Sequence, residues 1–240
     1  QAGISWTLSS HASEAANFGM FIGSYDNMRK LALRIREAAL ELNVKRIIFG
    51  ECGHAWRVAY SFLNTLAGPF DFLDSRYPVP QHICELTYDL MNRNVLKFDK
   101  SANDDMTLTY HDSCNVARAS NMGDILGGQF SVPRDIIKAT VNNFYDMEEE
   151  SIKEKTYCCG GGGGLLTDDL IELRMKGALP RMEALKRVVD DHGVTHMAAI
   201  CAICKSQFSK AFQYYGFELD QIISLHQLVG NALIMNKKEL

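Results

Sequence analysis

Several features are missing from this sequence, and each absence excludes something. No basic excess exists: 25 Lys and Arg face 29 Asp and Glu, a formal net charge of -4, so no surface is set aside to neutralise a phosphate backbone and no nucleic-acid partner is expected. No apolar run approaches the roughly 18 residues that a membrane-spanning helix needs, and Gln1 to Ser10 lacks the basic and apolar regions of a signal peptide. The glycine run Gly160 to Gly164 is followed by Leu165-Leu166-Thr167 rather than Gly-Lys-Ser/Thr, which excludes a P-loop. What remains is 47% hydrophobic and 22% charged over 240 residues, the composition of a folded soluble protein with one large domain or two small ones. Residue 1 is Gln rather than Met, and the expectation is that the chain continues upstream.

Cysteine is the informative residue. Seven occur, at positions 52, 84, 114, 158, 159, 201 and 204. An odd number with two tight pairs does not read as a secreted disulfide framework; it reads as a reducing compartment and a metal site.

Apolar residues alternate between helical and strand periods along the chain. Met28, Leu31, Ile35, Ala38 and Leu42 make an amphipathic stripe with Asp26 as its expected N-cap, and Val44 to Phe49 reads as a strand ending at Gly50-Glu51-Cys52. The same unit returns with Pro180 in a first helical turn, then Met182, Leu185 and Val189, then a strand over His196 to Ile200 ending at Cys201. Between them lie expected strands at Met106 to Tyr110 and at Thr156-Tyr157, and a helix from Pro133 to Met147. Cys52 and Cys201 lie 149 residues apart, and that offset also relates Thr7 to Thr156 and Ser9-Ser10-His11 to Cys158-Cys159-Gly160; His82 and His226 pair at 144. The chain therefore reads as two repeats: residues 1–100, a degenerate first copy truncated at its start, and 101–240, a second copy with the sulfur ligands. The expected fold class is α/β, two pseudo-repeated Rossmann-like parallel-sheet units with cysteines at the carboxyl ends of strands, where such folds gather ligands.

The strongest pattern is Cys114, then Cys158-Cys159-Gly160, then Cys201-Ala202-Ile203-Cys204. Thiolates bind soft metals and iron–sulfur clusters, and a C-x-x-C turn aims two sulfurs at one point. Adjacent cysteines share a site only where the backbone turns sharply, which glycines with positive φ allow, and unpaired glycine N–H groups can donate to sulfur. Five thiolates exceed a tetrahedral zinc site. Three readings stay open: a cluster beyond the simple cubane, a cubane with one spare cysteine, or a four-sulfur zinc site with a bystander.

These residues, together with the strings Tyr110-His111-Asp112-Ser113-Cys114-Asn115-Val116-Ala117-Arg118, Cys158-Cys159-Gly160 through Asp168-Asp169, and Ile200-Cys201-Ala202-Ile203-Cys204-Lys205, resemble the cysteine-rich CCG domain of heterodisulfide reductase-like proteins. Within that family the likeness is to the branch linked to dissimilatory sulfite reduction. The resemblance implies a four-iron (4Fe-4S) cluster, cubane or non-cubane, held by Cys114, Cys158, Cys159, Cys201 and Cys204, and a site that makes or breaks a disulfide or trisulfide. It implies a DsrC-like sulfur-carrier protein as substrate, a membrane haem b subunit that exchanges electrons with a quinone, and a peripheral cytoplasmic position on the inner membrane face. An electron relay without a thiol substrate is the alternative. The sequence departs from the pattern in three ways: both Cys spacings are longer than usual, Ser9-Ser10-His11 and Cys52-Gly53-His54-Ala55 replace a first cysteine set, and no ferredoxin-type spacing is present.

Other residues carry weaker expectations. Cys52 is a sixth ligand, a substrate-side thiol or a relic of the repeat. His54 is a proton donor to a leaving thiolate, or a cap or core residue. Cys84 is a small buried hydrophobe. His111 and Asp112 finish a strand or tune the cluster, while Arg118 and Lys205 offset its charge or are solvated cations. Glu148 to Glu150 is a solvated helix end.

Overall fold

Two parallel sheets, each flanked by helices, organise the chain. The computed structural model describes residues 2–12, 17–163 and 166–235. In the first sheet β1 (Ile48–Phe49) pairs with β2 (Gln81–His82), with Ile48 opposite Gln81. Helices α1 (Asn17–Phe21) and α2 (Tyr25–Glu41) precede β1, α3 (Gly53–Ala67) links the strands, and α4 (Ile83–Asn92) follows β2. The second sheet has the order β3 (Leu108–His111), β4 (His196–Ala199), β5 (Ile222–Ser224), all parallel, with Tyr110 opposite Ala198 and Ala198 opposite Ile223. Its connections are α5 (Cys114–Ala119), α6 (Gly128–Thr140), α7 (Ile171–His192) and α8 (Ala202–Tyr215), and α9 (Leu225–Ala232) closes the unit. The α/β class with two Rossmann-like parallel units is thus observed. Every residue of β3 is buried, as expected where helices cover both faces of a parallel sheet.

Local chemistry explains the elements and moves several boundaries. Ser24, not Asp26, caps α2: its Oγ accepts from the Asn27 N–H at 3.3 Å. The buried stripe of α2 is Met28, Ala32, Ile35, Ala38 and Ala39; Leu42 lies past the helix end. Pro180 sits deep inside α7 rather than in its first turn. A proline there costs about 3 kcal/mol, offset by burying Met175, Ala178, Met182 and Leu185 along one continuous face. Pro133 is likewise inside α6, which starts at Gly128 and ends at Thr140, short of Met147. Thr156 and Tyr157 form no strand; they leave a 3-10 turn at Lys153–Lys155.

A shared apolar core joins the units. Phe49, Trp56 and Leu63 of the first pack with Leu108, Ile136 and Leu228 of the second. A separate core of α7, β4 and α8, including Met182, Met197, Phe208 and Phe212, also holds Cys159, Cys201 and Cys204. Cys84 lies fully buried in the shared core. His82 caps α4, its Nδ1 accepting from the Cys84 N–H at 3.2 Å. His226 lies inside α9, and Ser224 occupies the cap position. The two histidines are therefore not equivalent in the fold.

Candidate metal centre

The thiols are placed by three different pieces of backbone. Cys114 opens α5 immediately beyond β3. Cys201 is the N-cap of α8 beyond β4, and Cys204 lies in the first turn of the same helix. Cys158 and Cys159 are held by turn chemistry. Gly160 takes φ +86°, and a Cβ there would fall 2.3 Å from the Arg174 carbonyl oxygen, so no other residue fits. The Gly160 N–H donates to Cys158 Sγ at 3.3 Å and the Gly161 N–H to Cys159 Sγ at 3.4 Å.

These placements bring all five predicted cysteines into one row. Each thiol shifts the ionisation of its neighbour: Cys114 and Cys158 act on one another, as do Cys158 and Cys159, Cys159 and Cys204, and Cys204 and Cys201. Cys52 acts on Cys201 in the same way. Cys159, Cys201 and Cys204 are buried, whereas Cys52, Cys114 and Cys158 are partly exposed. Among the described residues no three His, Cys, Asp or Glu side chains converge as the cage of one ion.

The electrostatics follow from these contacts. Cys114 and Cys159 push the Cys158 thiol down against the opposing effect of burial. Cys201 is pushed down in the same way by Cys204 and Cys52. Cys114, Cys159, Cys204 and Cys52 are raised by a neighbouring thiol and by burial.

Buried arginines fix the surrounding frame. Arg134 grips Asp112 at the end of β3 through two bonds of 2.9 and 2.7 Å. Asp112 also accepts from the Lys153 N–H at 2.8 Å, and its carbonyl accepts from Thr156 Oγ1 at 2.8 Å. Arg181, wholly buried, donates to Thr156 Oγ1 at 2.9 Å and to the Ser151 carbonyl. Burial lowers its pKa to about 10, so it stays charged at neutral pH. Arg118 donates to the Thr156 carbonyl at 2.7 Å and to the Glu154 carbonyl at 3.2 Å: it clamps the segment leading to Cys158. Arg174 bonds Gln207 at 2.8 Å and the Thr167 carbonyl at 3.0 Å.

The remaining candidates separate cleanly. His54 is 2% exposed, with Nδ1 3.6 Å from Cys201 Sγ and Nε2 without a partner. His111 is buried with both ring nitrogens unpartnered, edge-on to Phe208, and burial lowers its pKa to about 3. Lys205 turns away from the sulfurs to Glu51 at 2.6 Å. Glu148 pairs with Arg187, and Lys155 with Glu150 at 3.1 Å; the acidic run sits in a 3-10 turn, not at a helix end.

Sequence reasoning missed Glu51, Arg174 and Arg181. Glu51 accepts from Lys205, from Ser224 Oγ at 2.6 Å, and from the N–H and Nδ1 of His226 at 2.8 and 2.6 Å. Burial opposes its ionisation, yet the bonds from His226 and Lys205 prevail and hold it at about 2. Arg174 and Arg181 had a visible signal: with Ala178 and Leu185 they fall on the buried face of α7.

Comparison with known proteins bears on this region. Residues 108–209 match the family model of the cysteine-rich CCG domain. Over 97% of its length the chain is 39% identical to a protein named Hdr-like menaquinol oxidoreductase iron-sulfur subunit 2 from Archaeoglobus fulgidus. It is 38% identical, over the same share, to the Hdr-like menaquinol oxidoreductase iron-sulfur subunit of Archaeoglobus profundus. The chain spans 45% of the length of each of these relatives. All five thiols thus lie within residues 108–209, the segment that matches the CCG model, and Cys52 lies outside it.

Proposed function

We propose that the chain is an iron–sulfur oxidoreductase unit in which Cys114, Cys158, Cys159, Cys201 and Cys204 hold a four-iron cluster. The carrying observation is that five thiols from three pieces of backbone are gathered closely enough for each to shift its neighbour's ionisation. The surroundings fit an anionic metal–sulfur group: soft thiolate donors, N–H groups of Gly160 and Gly161 aimed at sulfur, and buried Arg181 nearby. Gly53 and Gly161 leave space where a Cβ would stand 3.4 Å from Cys201 Sγ and 3.3 Å from Cys159 Sγ. A four-sulfur zinc site is disfavoured, because five thiols are gathered where a tetrahedral ion takes four. The domain reading that accompanies this is a degenerate first CCG-type repeat over 1–100 and a ligand-bearing second repeat over 101–240.

Bound, the cluster supplies one-electron transfer. The chain's own residues set its conditions. The turn at Gly160 holds two adjacent sulfurs toward one site, the apolar wall of Met197, Phe208 and Phe212 excludes water, and the glycine N–H donors favour the reduced, more negative state. The partly exposed Cys114, Cys158 and Cys52 mark the side from which a partner's sulfur can approach.

The finer reading is a DsrK-like, heterodisulfide reductase-like subunit that passes electrons between a quinone pathway and a disulfide or trisulfide, with a DsrC-like carrier protein as substrate. A membrane haem b subunit would connect it to quinone, and its place would be peripheral, on the cytoplasmic face of the membrane. Among the described residues no helix is long and apolar enough to cross a membrane. The relatives' names specify menaquinol and no thiol, which favours a second reading, a relay that carries electrons without cleaving a sulfur–sulfur bond. Electron paramagnetic resonance of the oxidised iron-loaded protein separates them. A change of signal on adding a thiol or a trisulfide carrier supports cleavage; an unchanged signal supports the relay.

A further inference from the structure

We propose that Cys52 is a sixth ligand of the same iron–sulfur group, delivered by the first sheet unit and set against Cys201. This rests on the iron–sulfur reading above. Cys52 stands after β1 as Cys201 stands after β4, each the N-cap of the helix that follows. Helix α3 starts at Gly53 and α8 at Ala202, so thiol and helix keep one offset in both units. The two corners meet: a Cβ on Gly53, the residue after Cys52, would lie 3.4 Å from Cys201 Sγ.

The approach is locked in place. The Ala202 N–H donates to the Glu51 carbonyl at 2.9 Å, and the Glu51 carboxylate binds Lys205, the residue after Cys204. Gly53 leaves the passage between units open: a Cβ there would stand 2.4 Å from Ser113 Oγ and 3.4 Å from Cys201 Sγ. A packing cysteine needs none of this. Cys84 is simply enclosed in the apolar core.

His54 is the independent sign that this corner is built around a ligand. It is buried, its Nδ1 lies 3.6 Å from Cys201 Sγ, and its Nε2 has no partner. Burying an unpaired ring nitrogen is costly unless the site gives it a use.

The test is thiol mapping by mass spectrometry on anaerobic protein reconstituted with ferrous iron and sulfide, and on the same protein after iron removal. Cys52 is expected to react with iodoacetamide about tenfold or more slowly when iron is present, in step with the five other ligands. Cys52→Ser is expected to keep iron but shift the g values of the cluster signal. Alkylation of Cys52 at equal rates in both forms, with an unchanged cluster spectrum, overturns the proposal even if the variant misfolds, because the mapping uses the unaltered chain. Absence of bound iron and sulfide would sink the underlying reading as well, so the two failures are distinguishable.

Discussion

The two sheet units share a frame and differ in what they hang on it. In both, a parallel strand runs to a cysteine that caps the next helix: β1 to Cys52 and α3, β4 to Cys201 and α8. Only the second unit adds Cys114 beyond β3, the Cys158-Cys159 turn and Cys204. The 149-residue offset that relates Cys201 to Cys52 carries that pair onto Ser9-Ser10. The strand–helix frame by itself thus supplies one thiol, not five. What distinguishes the second unit is a turn stiffened by Gly160 and pinned by Arg118, Arg134 and Arg181.

Five experiments probe that contrast, from the largest effect downward. Cys159→Ser, at the centre of the row, should abolish iron binding and turnover; iron analysis and cluster spectra on the anaerobic variant will show it. Gly160→Ala forces a side chain into a positive φ and against the Arg174 carbonyl. It should cost about 3 kcal/mol in urea unfolding of the iron-free chain and lower iron occupancy. Arg181→Met removes the donors to Ser151 and Thr156 and should cost about 2 kcal/mol by the same assay, since buried acceptors are left unpaired.

Acid sensitivity compares the units directly. Burial holds His82, in the first, at about 3, below the ordinary value of 6.5. The folded state therefore keeps this ring neutral while the unfolded chain takes up a proton. The contribution is intact above pH 6.5 and is lost progressively as pH falls toward 3. Between pH 7 and pH 5 the loss amounts to about 2 kcal/mol. His82→Asn retains a capping side chain and should flatten that part of the stability–pH curve by a similar amount, measured by denaturant unfolding at both pH values. The smallest effect belongs to Cys84→Ala, expected to cost about 1 kcal/mol of stability through a small cavity and to leave iron content unchanged; lost iron there would show that Cys84 is no mere packing residue.

Much of the fold was legible because its signals are local. Apolar periodicity marked α2, α7 and the strands before Cys52 and Cys201, and the thiol types and spacings marked the residues that the structure gathers. Boundaries were less legible where tertiary packing overrides a local rule. Pro133 and Pro180 look like helix starts, yet burial of the surrounding faces carries α6 and α7 through them. Thr156-Tyr157 reads as a strand, but its polar groups are taken by Asp112, Arg118 and Arg181, which leaves no ladder to join. Glu51 could not be read at all: its partners Lys205, Ser224 and His226 lie more than 150 residues away in sequence.

The most direct test of the central claim is the metal and sulfide content of the anaerobically purified chain, with Mössbauer spectra. Iron and acid-labile sulfide in equal amounts, about four of each per chain, are the predicted result. Zinc without iron or sulfide would contradict it.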